Sequence, residues 1–158
     1  MASHRSFSFD LTSARVWVAG HRGMVGSAVR RALERAGVAD LVGWTRDEVD
    51  LTDRDATVAA ARDARPDVVV LAAARVGGIL ANAEHPVEFL RDNVRIETNV
   101  MEAAHEAGVD RLLFLGSSCI YPRLAPQPIP AEALLTGPLE ATNDAYAIAK
   151  IAGILHVQ

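Results

Sequence analysis

Val16-Trp17-Val18-Ala19-Gly20-His21-Arg22-Gly23-Met24-Val25-Gly26 is the stretch that decides the fold. Four apolar residues run straight into a glycine, which reads as a short strand buried on both faces. Beyond it, Val25, Ala28, Val29, Ala32 and Leu33 fall at helical spacing from Met24 to Ala36, and Gly37 reads as the stop. A strand, a glycine-rich turn and a helix in direct succession make an anion site, because the helix N-terminus offers free N–H groups and partial positive charge. Gly20 allows the sharp turn, Gly23 lets backbone approach a pyrophosphate, and Gly26 lets helix and strand pack closely. His21, Arg22, Met24 and Val25 complete the turn that would face the cofactor. The spacing is Gly-x-x-Gly-x-x-Gly, not Gly-x-Gly-x-x-Gly.

The same alternation continues downstream. Leu41-Val42-Gly43-Trp44 reads as a second strand and Val49-Asp50-Leu51 as a short edge strand. Thr52 or Asp53 can cap a helix through Ala64, closed by Pro66. Asp67 to Ala73 is a third, long buried strand. Pro86 to Ala107 is a long helix, broken near its start or continuous, that ends at Gly108. Arg111 to Gly116 is another buried strand, followed by a loop holding Pro122, Pro126, Pro128 and Pro130. A last helix begins near Asn143 or Asp144. Apolar strands alternating with helices imply a parallel sheet covered on both sides. Right-handed crossovers make it an α/β, Rossmann-like doubly wound sheet. Its ligands bind at the carboxyl ends of the strands, where strand order reverses.

Composition narrows the function classes. The 158 residues suit one domain, taken as 15–158 behind a loose N-terminal arm over 1–14. A formal net charge of −4 gives no footprint for nucleic acid or an anionic membrane. The single cysteine, Cys119, excludes an internal disulfide and fits a reducing compartment. Met1 to Ser13 lacks the apolar core of a signal peptide, and no run reaches the ~20 apolar residues of a membrane helix. A cytoplasmic location is expected, and no metal site.

Charge near the end of the second strand selects the cofactor. A carboxylate there pairs with the ribose 2′-hydroxyl of NAD, whereas an arginine accommodates the 2′-phosphate of NADP. Arg46 lies twenty residues after Gly26, and Arg22 lies in the turn itself. Two guanidiniums can clamp a phosphate, which favours NADP(H). Asp47 keeps NAD open, or serves only to pair with Arg46.

Lys150 is the only lysine in the chain and follows Tyr146 by four residues. On a helix the two share a face. An ammonium is a compact point charge that can sit beside a phenol and a ribose hydroxyl, as an arginine fork cannot. At ~4 Å and an effective dielectric near 20, it would favour phenolate by roughly 4 kcal/mol. That would draw the phenol from about 10 toward neutrality, where general acid–base work is efficient. Tyr-x-x-x-Lys also arises by chance on any helix. Ser117 and Ser118 follow the fourth long strand at its ligand-binding end. Ser117 could hydrogen-bond a substrate carbonyl beside Tyr146; Ser118 reads as a strand terminator or a cofactor contact.

These residues bring out a resemblance. The chain resembles the extended short-chain dehydrogenase/reductase superfamily from about Arg15 to Ile154 and, more narrowly, the GDP-L-fucose synthase family. The glycine turn and Tyr146-x-x-x-Lys150 belong to the wider group. Val76-Gly77-Gly78-Ile79 and Ser117-Ser118-Cys119-Ile120-Tyr121-Pro122 are much narrower signals. The resemblance implies NADPH-dependent 3,5-epimerisation and 4-reduction of a GDP-4-keto-6-deoxy sugar. It gives Ser117, Tyr146 and Lys150 the role of catalytic triad. Cys119 becomes the residue that, with a histidine, moves protons during epimerisation. Gly20, Gly23, Gly26, Arg46, Asp50, Leu51, Ala72, Ala73, Ala74, Leu115, Gly116, Ser117 and Ser118 would line the cofactor, with Tyr146 and Lys150 at its reactive end. It also implies a homodimer built through the long helices.

Departures from the family pattern are Arg75 for lysine, Ala145 for proline and His85 for tyrosine. Family members run well past the Tyr–Lys motif, so the last strands, a substrate domain and the histidine partner of Cys119 are expected to be missing here. On that expectation this chain alone binds cofactor with little activity. Two alternatives stay open: another nucleotide-sugar epimerase or dehydratase, and a cofactor-binding module without catalysis.

Overall fold

A computed structural model describes residues 9–158. Four strands form one sheet: β1 (Arg15–Ala19), β2 (Asp40–Val42), β3 (Val68–Leu71) and β4 (Arg111–Phe114). Their order is β2-β1-β3-β4 and every pairing is parallel. The direction of winding reverses between β1 and β3, where Val16 to Ala19 align with Val68 to Leu71. The helices are α1 (Met24–Arg35), α2 (Arg54–Ala64), α3 (Ile79–Glu84), α4 (Pro86–Glu106) and α5 (Asp144–His156).

Strand residues alternate between two apolar layers, as a period of two requires. Trp17, Ala19, Val69 and Leu71 meet Val58 and Ala61 of α2 and Val100, Met101, Ala103 and Ala104 of α4. Val16, Val18 and Val70 meet Val29 and Leu33 of α1 on the opposite face. The sheet is thus covered from both sides, as its apolar strands demanded. Phe114 joins the α2–α4 layer, while Leu113, pointing the other way along the β4 edge, is 55% exposed.

Local chemistry sets the element ends. Asp53 caps α2 by accepting from the Ala56 N–H, and Arg65 closes the helix at φ 49°. The long helix is interrupted at its start: α3 ends at His85, and Pro86 opens α4. Strand 67–73 contracts to Val68–Leu71, and the second strand ends at Val42. The expected edge strand over Val49–Leu51 does not form. Instead the Asp50 carboxylate accepts from the Thr52 N–H at 2.9 Å and its hydroxyl at 2.8 Å. That local turn offers the backbone an alternative to the ladder, as Asx turns do. Of the arm expected over 1–14, the described residues are folded. Asp10 caps a 3₁₀ turn over Leu11–Ser13, and Ala14 is buried. The rest of that arm lies outside the described residues.

Candidate functional site

Two neighbouring regions at the carboxyl ends of the strands hold the residues singled out from the sequence. The first is the crevice between β1 and β3. Gly20 has φ +84°, and a Cβ there would lie 2.7 Å from the Ala73 backbone. No other residue fits so close an approach at that backbone angle. A Cβ on Gly26 would collide with the Gly20 carbonyl, so the glycine brings α1 onto the turn. The Gly23 N–H donates to the Gly20 carbonyl at 2.9 Å, and no side chain caps α1, which leaves its first N–H groups free for an anion.

Beside this turn lies a hollow of about 610 Å³, lined by Gly20, Gly23, Trp44, Leu51, Ala72 and Ala73, with Arg46, Asp50 and Ala74 also on its wall. Its far side is pinned from α4. The Asn99 amide donates to the Leu51 carbonyl at 2.9 Å. Buried Asn93 accepts from the Arg75 N–H at 2.8 Å and donates to the Arg75 carbonyl at 3.0 Å. Asp50 is held below the usual carboxylate range, first by the Thr52 N–H, with Arg46 assisting. Arg46 is 3.4 Å from Asp50 and largely exposed. Arg22, in the turn, and Met24 and Val25, on the first turn of α1, stand exposed. His21 folds back against Gly43, and burial and then Arg30 and Arg22 hold its imidazole below the ordinary range.

The second region lies at the end of β4. Leu115 extends the β3–β4 pairing through its N–H to the Leu71 carbonyl, Gly116 is exposed, and Ser117 caps a 3₁₀ turn over Ser118–Ile120. Ser118 is exposed on that turn. The Ser117 hydroxyl accepts from the Cys119 thiol at 3.1 Å and, at 3.5 Å, from its N–H. With both donors pointing at its oxygen, the Ser117 proton is free to serve an acceptor. Half-buried Tyr146, on α5, stands near enough for Ser117 to favour its phenolate form. Ser117, Cys119 and Tyr146 therefore converge. These three and Lys150 are not among the residues lining the larger hollow, which opens off the adjacent strands.

Lys150 lies on the same face of α5, but its partner is not the phenol. The ammonium is 2.9 Å from the Glu97 carboxylate, with both side chains 3% exposed. It lies 4.5 Å from the Phe114 ring centroid and 6.0 Å from that of Tyr146. The expected drop of the phenol toward neutrality is overturned. Burial, then Cys119 and then Glu97, push Tyr146 above its ordinary range against the Ser117 hydrogen bond. The main physical reason is burial of the phenol, and Glu97 adds to it by compensating the charge that was expected to act there.

Glu97 is the residue that sequence reasoning missed, together with Asn93 and Asn99. The signal was present. Phe89, Asn93, Glu97, Val100 and Ala104 form one buried stripe along α4. Polar residues inside such a stripe are stationed there for partners.

Among the described residues, no group of three or more His, Cys, Asp or Glu side chains could hold a metal ion. No helix among them is long and apolar enough to cross a membrane.

The fold defines a Rossmann-type α/β protein with a glycine turn at the point where strand order reverses. The model of the NAD dependent epimerase/dehydratase family matches residues 16–158, and the chain belongs to that family. It is 56% identical over 151 residues to the putative GDP-L-fucose synthase 2 of Arabidopsis thaliana, covering 95% of this chain and 46% of that protein. Against the GDP-L-fucose synthase of Escherichia coli K12 it is 56% identical over 144 residues, covering 91% and 45%. Among solved structures, the GDP-mannoheptose C4 reductase of Campylobacter jejuni with NADP bound superposes with a TM-score of 0.89 at 32% identity, covering 94% of this chain and 47% of that one. A GDP-L-fucose synthetase of Naegleria fowleri bound to NADP gives 0.82 at 30% identity, covering 92% and 47%. The chain spans about half the length of the relatives it matches.

Proposed function

We propose that this chain is the NADP(H)-binding portion of an enzyme that epimerises GDP-4-keto-6-deoxy-D-mannose at C3 and C5 and reduces it at C4. The observation that carries the reading is the convergence of Ser117, Cys119 and Tyr146 at the end of β4, with β3 between it and the strand that leads into the glycine turn. Kinship with proteins named GDP-L-fucose synthase supports the substrate class.

The crevice suits a dinucleotide. Its backbone leaves no room for a Cβ at Gly20, the α1 N–H groups are unclaimed by a side chain, and the hollow beside them is walled by Asp50, Leu51 and Ala72 to Ala74. Arg46 and Arg22 are exposed near the mouth and would take the 2′-phosphate. When bound, the cofactor supplies the hydride. The chain's own groups handle the protons and the ketone. A C4 ketone acidifies the C–H bonds at C3 and C5; Cys119 would exchange a proton on one face of those carbons, and a histidine outside this chain would exchange it on the other, so that the centres invert. Ser117 donates to the C4 oxygen and stabilises the enolate. Tyr146 gives that oxygen its proton as reduction completes, and Lys150 would hold the ribose of the cofactor. A two-fold contact through α4 and a cytoplasmic location complete the proposal.

NADPH fluorescence titration tests the first half: tight binding of NADPH with at least tenfold weaker binding of NADH is expected, and equal affinity would refute the arginine reading. Carried in a full-length synthase frame, Tyr146→Phe should leave NADPH bound and lower turnover of the keto-sugar by about 10²–10⁴-fold, the range of general acid catalysis. Unchanged turnover would sink the catalytic role. Product analysis with other nucleotide sugars separates the close alternative, another epimerase or dehydratase of the family.

A further inference from the structure

A buried carboxylate directly beneath the proposed acid–base pair has no part in the chemistry above. Glu97 sits in the middle of α4, 2% exposed, against α5. Its only cation within ion-pairing reach, among the described residues, is Lys150 at 2.9 Å. The approach is off-angle, so neither carboxylate oxygen has a hydrogen bond in good geometry. Room is made for it by Gly153, where a Cβ would lie 2.8 Å from one oxygen. On its other side is a small hollow between the helices, about 190 Å³, lined by Val94, Thr98, Ala152, Gly153 and His156. A carboxylate is costly to bury and is kept in such a place only with compensation.

We propose that Glu97 is a positioning residue: its carboxylate holds the Lys150 ammonium in the seam between α4 and α5, and its negative charge competes with the Tyr146 phenolate for that ammonium. The titratable and charged groups facing this seam are Lys150, Tyr146 and, at the rim, His156 from α5, with Cys119 from the turn after β4. Two negative charges then share one ammonium, and whichever is better paired holds it. Burial pushes the Glu97 carboxyl up, against the pull of Lys150, which is the signature of incomplete compensation. The reactivity of the phenol is thus set one helix turn below it, by a residue that touches neither sugar nor cofactor.

The inference rests on reading Tyr146 and Lys150 as a catalytic pair, yet its test needs neither cofactor nor substrate. Failure of the titration leaves the proposed reaction standing, and failure of NADPH binding leaves the titration untouched. The chain has two tyrosines, so Tyr121→Phe silences the other phenol and tyrosinate absorbance reports Tyr146 alone. In that background E97Q should lower the Tyr146 midpoint by about one pH unit or more, a tenfold loss of proton affinity. Adding Lys150→Met should shrink the fall severalfold, to the part that comes from the direct repulsion between Glu97 and the phenolate. No fall, or a fall undiminished without Lys150, would overturn the proposal, since loosening of the seam and direct repulsion act whether or not the ammonium is present. Circular dichroism checks folding. Should E97Q not fold, E97D draws the carboxylate back by one methylene, and the same comparison with and without Lys150→Met decides.

Discussion

Glu97 and Lys150 form an ion pair that water scarcely reaches, and such pairs behave unlike surface ones. Removing one partner typically costs about 3–5 kcal/mol, because the other charge is left buried alone. The carboxyl's folded-state pKa is raised above its unfolded value, chiefly by burial. The folded chain therefore binds more protons than the unfolded one between the two values, and stability falls as pH rises. This group's contribution is fully present below the ordinary glutamate value of about 4.3 and is lost as pH climbs through the folded value. Urea denaturation at stepped pH should show that decline in the wild type and a flatter profile in E97Q. A wild-type profile that rises more steeply than the variant's over that window would reverse the sign argued here. The same residue shows what a sequence leaves out. Tyr146 and Lys150 were legible as a pair from their spacing, but the partner that claims the ammonium lies more than fifty positions upstream. Only the packing of α4 on α5 brings it there.

Glycine determines how α1 meets the turn that forms the crevice. Gly26 lets α1 lie against the turn after β1, where any Cβ would strike the Gly20 carbonyl. Gly23 is less confined: the nearest atom that a Cβ there would meet is that same carbonyl, at 3.3 Å. Gly26→Ala should thus cost about 1–3 kcal/mol through overpacking and lower NADPH affinity at least tenfold. Gly23→Ala should cost under about 1 kcal/mol, within the spread of tolerated changes. Calorimetry with a fluorescence titration ranks the two, and equal losses would contradict the packing argument. The strands and helices themselves were readable because their periods are strong. The exceptions have local causes. Val49–Leu51 has strand-like residues, but Asp50 turns its carboxylate onto Thr52 and takes the segment out of the ladder. The helix start at Pro86 was marked by the proline, whereas α3 before it carried no comparable signal.

At the scale of the whole molecule, the crevice between β1 and β3 is the feature through which a ligand would act on stability. A ligand that binds only the folded state stabilises it by about 2.7 kcal/mol at a concentration 100 times its dissociation constant. For a domain of this size that raises Tm by roughly 5–11 °C, at 2–4 °C per kcal/mol. NADPH at saturation should give such a rise and NADH at equal concentration much less, as differential scanning calorimetry would record. Equal shifts would count against Arg46 and Arg22 as readers of the 2′-phosphate. The two apolar layers are unequal in their cover. α2 and α4 pack on one face with α5 beside them, while on the other face α1 is the one helix among the described residues and Leu113 of β4 is left exposed.

By itself the sequence determined the order of strands and helices, the glycine turn and the pairing of Tyr146 with Lys150 on one helical face. These follow from short-range periodicity and from the steric demands of single residues, which adjacent positions encode. The tertiary structure alone decided how charge is distributed in the site: that Lys150 answers to Glu97, that Tyr146 becomes a weaker acid, and that Cys119 and Ser117 share a proton bond beside it. Ionisation depends on burial and on charges brought near by packing, and neither distance nor dielectric is written along the chain.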